Sequence, residues 1–99
     1  MARQFLDVDP RSLRLPPSRP QGADPYKLQQ QIARFGASMT GMPPPCVYQG
    51  TDGEFMIYNG VTRATRIAKL APGALIRVEV VGRFRVPVGN HPKIGDFLP

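Results

Sequence analysis

The stretch "YNGVTRATRIAKL" (residues 58–70) reads as the end of a strand, a turn at Asn59-Gly60 and a helix beginning at Val61. Val61, Ala64, Ile67, Ala68 and Ala71 recur at helical spacing and supply an apolar stripe. Thr62, Arg63, Thr65, Arg66 and Lys69 fill the remaining positions. A glycine turn that feeds a helix start leaves backbone N–H groups free, with the positive end of the helix dipole behind them, which makes a ready anion site. Asn59, Gly60 and the Thr62 hydroxyl belong to that cradle, and the fork of Arg63 can grip phosphate oxygens through two parallel bonds. Arg66, three residues beyond Arg63, and Lys69, three further, are expected to line the same side. Basic side chains in a first helical turn oppose the dipole, and a bound anion would explain their presence. The other reading of these residues is an amphipathic helix with a solvated basic face.

Upstream, "CVYQG" (46–50) and "EFMIYN" (54–59) flank "TDG", where Asp52-Gly53 signals a hairpin turn, with Val47, Phe55 and Ile57 on the buried face. "DPYKLQQQIARFG" (24–36) reads as a helix: Asp24 caps it, Pro25 suits its first position and Gly36 ends it. Leu28, Ile32 and Phe35 form its core stripe. Residues 10–25 are broken by prolines into an ordered but irregular loop that carries Arg11, Arg14 and Arg19. "RQFLDVD" (3–9) alternates as a strand, with Phe5 and Val8 expected inward. Downstream, "ALIRVEVVG" (74–82) is the clearest strand, its Ile76, Val78 and Val80 opposite Leu75, Arg77, Glu79 and Val81. Residues 83–99 lack a clean period and are expected to form an irregular tail with an edge strand near 84–88. The order β, α, β-hairpin, α, β predicts one small α+β domain over 1–99, with two main helices, a core at 4–81 and a tail at 82–99.

The totals agree with one domain. The chain has 99 residues, of which 41% are hydrophobic, enough for a core if most Val, Ile, Leu and Phe point inward. Twelve prolines and ten glycines predict short regular elements and long loops. A net charge of +6 with pI near 10.3 suits polyanions: nucleic acid, nucleotide phosphates or an acidic protein. The positive residues are spread along the chain, which argues against a disordered basic tail. The single cysteine, Cys46, excludes an internal disulfide framework and any multi-cysteine zinc site, and its apolar neighbours predict a buried, inert thiol. No apolar run approaches the roughly 18 residues that span a membrane, and the N-terminus lacks a signal-peptide core. Nothing addresses the chain to a compartment, which leaves the cytoplasm or delivery within a larger secreted effector. No spacing marks a metal site and the residues name no cofactor.

The order of parts resembles the ParB/sulfiredoxin superfamily over roughly residues 4–81. The residues that carry the likeness are a proline-rich lead-in with an arginine, a Gln/Leu helix ending in Gly, "PPPCVYQGTDGEFMIYNGVTRATRIAKL" and a final "VEVV". That resemblance implies a small mixed sheet with a G-x-x-R box that holds nucleotide phosphates, a role Gly60 and Arg63 would inherit, with Arg19 as the lead-in arginine. The departures matter. Sulfiredoxins place a reactive cysteine directly after the box glycine, where this chain has Val61. Partition proteins read G-E-R-R where this chain reads G-V-T-R, and their downstream DNA-binding helices have no counterpart here. The resemblance thus implies the bare fold with a phosphate-binding box, of the kind found as toxin modules in bacterial polymorphic effectors.

The resulting expectation is a phosphate-binding, ParB-like domain acting on nucleic acid or a nucleotide as the toxic, nuclease-like module of a bacterial effector. An acidic immunity protein would be its partner. Catalysis would add a general base or metal-binding carboxylate to Arg63, and Asp52, Glu54, His91, Asp24 and Asp96 are the candidates. Each has a plainer reading: Asp52 shapes its turn, Asp24 caps its helix, Glu54 is solvated and His91 sits in an exposed loop. The alternatives are a noncatalytic nucleic-acid or nucleotide binder and a basic protein-interaction domain. Tyr48 and Tyr58 are base-stacking platforms in the first of these and cross-strand packing partners otherwise.

Overall fold

The computed structural model describes residues 3–98; residues 1, 2 and 99, the ends of the expected 1–99 unit, lie outside the described residues. Four strands, β1 (Gln4–Val8), β2 (Cys46–Gln49), β3 (Phe55–Asn59) and β4 (Ile76–Arg83), and two helices, α1 (Pro25–Phe35) and α2 (Val61–Leu70), follow in the order β1-α1-β2-β3-α2-β4. Short 3-10 turns occupy Pro10–Ser12 and Ile94–Phe97. The strands form one mixed sheet in the order β1-β4-β2-β3, in which β2 and β4 run parallel and the other pairs antiparallel. The α+β class expected from the sequence is the class observed.

Period-two alternation decides which face of the sheet is buried. Ile76 and Val78 of β4 point into the core and Arg77 between them is exposed. Val47 of β2 and Ile57 of β3 join them under the α2 stripe of Val61, Ala64, Ile67 and Ala68. In β1 the registers Leu6↔Val78 and Val8↔Ile76 put Leu6 and Val8 against this core. Phe5 therefore faces the other way, contrary to the expectation that it points inward, and takes the Arg3 guanidinium over its ring at 5.0 Å.

Helix α1 begins and ends as its sequence predicts. Asp24 accepts from the Tyr26 N–H at 2.9 Å, Pro25 opens the helix, and Gly36 at φ +56° donates back to the Ile32 carbonyl at 2.8 Å. Its expected core stripe packs only in part. Leu28 and Ile32 are half-buried, while Phe35 is 47% exposed.

The proline loop and the tail, both expected to be irregular, complete the core. Arg14 N–H donates to the Phe55 carbonyl at 2.8 Å, and Ile57 N–H donates to the Arg14 carbonyl at 2.9 Å. Residues 13–15 thereby lie along the β3 edge, parallel to it at Arg14 and Met56, with Leu13 and Leu15 fully buried. On their other side Leu15 donates to the Pro92 carbonyl and Ile94 to the Leu13 carbonyl. The tail is thus fastened down, with Val88 and Ile94 buried. No separate edge strand forms at 84–88. Phe84 N–H reaches the Gln49 carbonyl and Thr51 N–H reaches Val86, after which Pro87, with no N–H, ends the pairing.

Candidate anion-binding site

Gly60 joins β3 to α2 in the left-handed region, at φ +103° and ψ 23°. The first helical bond is Ala64 N–H to the Gly60 carbonyl at 3.0 Å. The N–H groups of Val61, Thr62 and Arg63 therefore find no acceptor among the described residues, and no acidic side chain sits in this first turn. The close fit also requires glycine: a Cβ here would stand 2.8 Å from Arg63 Nη2 and 2.9 Å from Pro45 Cβ.

Above this turn lies a cavity of about 320 Å³. Five of the six residues expected to hold phosphate, Arg19, Asn59, Gly60, Thr62 and Arg63, line it. Arg19 arrives there because the chain at Arg14 runs parallel to β3 at Met56, so residues 16–19 advance alongside the end of β3 and the start of α2. Lys27 and Gln31, one turn apart on α1, close the opposite wall. Three cations thus converge on a lining that contains no Asp, Glu or His. Arg63 Nε and Gln31 Oε1 are buried with no hydrogen-bond partner among the described residues. A half-turn of the Gln31 amide would offer its N–H groups instead. Such a lining is chemically suited to an anion.

Arg66 is not part of this site, contrary to expectation. Helical steps of three residues fall short of a full turn by about 60°, so Arg66 and then Lys69 rotate progressively away from Arg63. Arg66 is 2% exposed and wedged between the helices. Its Nη1 donates to the carbonyls of Gly36 at 2.6 Å and Ser38 at 2.8 Å, Nη2 lies 3.3 Å from the Met42 sulfur, and the guanidinium stands 5.4 Å from the centroid of the Phe35 ring. The cation therefore meets the unsatisfied carbonyls and negative dipole end of α1. Burial lowers its pKa from the ordinary arginine value. Lys69 is exposed and borders a different groove, beside Thr65 and Phe97.

The catalytic candidates other than Arg63 lie elsewhere. Asp52, in the β2–β3 turn, and Gly60 flank opposite ends of the five-residue β3, a strand length of about 16 Å. Asp52 Oδ2 accepts from Gly89 N–H at 2.8 Å, and Oδ1 accepts from Glu54 N–H at 3.2 Å and Val88 N–H at 3.4 Å. It ties the hairpin turn to the tail. Glu54 pairs with Arg14 Nη2 at 2.7 Å, and Arg14 Nη1 donates to the His91 carbonyl at 3.0 Å. Asp24 caps α1, and Asp96 accepts from Lys93 N–H at 2.8 Å. The expected grouping of Arg63 with Asp52, Glu54 and His91 is not formed: none of the three lines the cavity, Asp52 and Glu54 stand at the far end of β3, and the His91 carbonyl accepts from the Arg14 that pairs with Glu54. Among the described residues no three His, Cys, Asp or Glu side chains are placed to hold a metal ion. Among the described residues no helix is long and apolar enough to cross a membrane. Cys46 is half-buried rather than enclosed.

Lys27, Gln31 and Ser18 are polar lining residues absent from the set expected from the sequence. The first two carry a signal, an i, i+4 polar pair on the α1 face beside Leu28 and Ile32, but only the packing of α1 on α2 shows where that pair points.

No family model matches this chain and no curated protein matches it.

Proposed function

We propose that this domain binds a phosphate group of a nucleotide or nucleic acid in the pocket at the start of α2. The observation that carries this reading is the convergence of Arg19, Lys27 and Arg63 on one cavity that, among the described residues, has no carboxylate and leaves the buried Arg63 Nε without a partner. Helix N–H groups and a bidentate arginine fork are the donors that tetrahedral phosphate oxygens match. The resemblance of "GVTR" to the G-x-x-R box of ParB/sulfiredoxin domains, and the net charge of +6, support the same ligand class.

The pocket lining offers no carboxylate or imidazole to activate water, which favours binding over a nuclease-like reaction. The test is titration of the protein with a fluorescent single-stranded oligonucleotide and with a nucleoside triphosphate, across a salt series, followed by recovery of the ligand. Saturable binding that weakens with salt, with ligand recovered intact, is the expected result. Ligand recovered cleaved would return the domain to the class of toxic effector nucleases. The absence of saturable binding at low salt for both ligands would overturn the proposal.

A further inference from the structure

The anion pocket shares a wall, formed by Pro16, Ser18 and Tyr58, with a second cavity of about 340 Å³ whose character is opposite. Its remaining lining is Pro17, Met56, Ile57, Tyr48 and Phe84, with no charged side chain. The rings here are held in place. Tyr48 stacks on Phe84 with centroids 4.8 Å apart and planes 15° from parallel, and its edge packs so close over Gly82 that a Cβ there would stand 2.5 Å from its Cε1. Tyr58 meets Tyr48 edge-on at 5.5 Å and 88°, yet stays 67% exposed.

Tyr58 owes its position to a β-bulge. The registers Cys46↔Asn59 and Val47↔Ile57 pass over it, which makes Tyr58 the extra residue of β3. A bulge re-aims a side chain out of the regular alternation. This one brings a large, exposed ring to the border between a cationic pocket and an apolar, aromatic one.

Those two adjoining environments correspond to the two halves of one ligand, an anionic phosphate and a flat ring with apolar faces. We infer that the cleft of Tyr48, Tyr58 and Phe84 is a nucleobase subsite, occupied by the base of a nucleotide whose phosphate lies against Arg63. The inference rests on the phosphate reading above and extends it. Stacking accepts any base because every base has a π-face, so a cleft with only hydroxyl groups as polar handles selects for a flat ring and not for sequence. The same chemistry is offered by a free nucleotide and by an unpaired residue of a single strand. A base inside a duplex is stacked on both faces and paired along one edge, and cannot enter.

The experiment compares each base-bearing ligand with a baseless partner of matched charge. Inorganic tripolyphosphate, ATP and CTP are titrated into the wild-type protein, Tyr58→Leu and Tyr58→Phe by calorimetry, alongside an eight-residue oligothymidylate, its abasic counterpart and a duplex of the same length. Base-bearing ligands should bind about five- to a hundredfold tighter than their baseless partners. Tyr58→Leu should erase that ratio and Tyr58→Phe retain it, and because the residue is largely exposed, all three proteins should melt alike. An increment with ATP or CTP identifies a free nucleotide as a sufficient source of the base, and an increment confined to the oligothymidylate identifies a strand. Equal affinity with and without the base, or a ratio untouched by Tyr58→Leu, overturns the inference while leaving the phosphate reading intact. Failure of every ligand to bind overturns both.

Discussion

Arg63 folds back over Gly60, its Nη2 so close that a Cβ on residue 60 would stand 2.8 Å from it. One glycine therefore does two things: it supplies the left-handed turn into α2 and leaves room for the guanidinium above the helix start. Gly60→Ala should disturb both. The strained φ of +103° and the contact with Pro45 should cost about 1–3 kcal/mol, a fall in Tm of at least about 4 °C for a domain of this size. The displaced Arg63 should weaken binding of tripolyphosphate as well. Thermal melting and calorimetry on the same sample check the two effects. A variant that melts and binds like wild type would contradict the stated geometry.

Arg66 holds the two helices together through the carbonyls of Gly36 and Ser38. Arg66→Met keeps much of the bulk but leaves the half-buried Gly36 carbonyl and the Ser38 carbonyl without this donor. The expected loss is about 2–3 kcal/mol, seen as a lower midpoint in urea with little change in slope. Arg66→Lys should recover only part of this loss, since a point charge cannot reproduce the planar fork. Ligand binding measured well below the melting transition should change far less than stability does. A stable Arg66→Met protein that had lost binding would return Arg66 to the anion site.

Asp52 predicts a pH dependence. Removal from water pushes its carboxyl pKa up, but the N–H groups of Gly89, Val88 and Glu54 outweigh that effect and hold the pKa below the ordinary value. Glu79 is lowered chiefly by its hydrogen bonds from Arg3. For both groups the unfolded chain binds more protons than the folded one, so the stability they contribute is present above the unfolded pKa and lost as pH falls through the folded one. Melting temperatures should therefore decline below about pH 5. Asp52→Asn should lower Tm at neutral pH and make the acid limb shallower. Melting curves displaced equally at neutral and acid pH would show that the charge of Asp52 contributes nothing.

What the sequence reveals of this fold is what local chemistry fixes. Asp24, Pro25 and Gly36 bound α1 through contacts within the helix itself, and the strand–glycine–helix junction at Gly60 is equally local. Thr62 and Arg63 followed from it directly. Arg19 depends on a non-local event, the parallel pairing of Arg14 with Met56. The failures share a cause. Arg66 reads as a surface cation because residue type alone does not reveal that the carbonyl end of α1 lies beside it. Asp52, Glu54 and His91 lie close to the box in the chain or in type, but which end of β3 each occupies is decided by strand direction. Phe5 and Leu6 are both apolar, and only the pairing with Val78 selects the inward one.

On the proposed reading, Arg63 holds phosphate without holding the fold together. Calorimetric titration of tripolyphosphate into the wild type and into Arg63→Ala, at about 50 mM salt, tests it most directly. Loss of one buried, charge-assisted contact predicts at least a tenfold weaker Kd in the variant, about 1.5–3 kcal/mol, with an unchanged Tm because the buried Nε has no hydrogen-bond partner among the described residues. Equal affinity in the two proteins, or no saturable binding by the wild type, would contradict it.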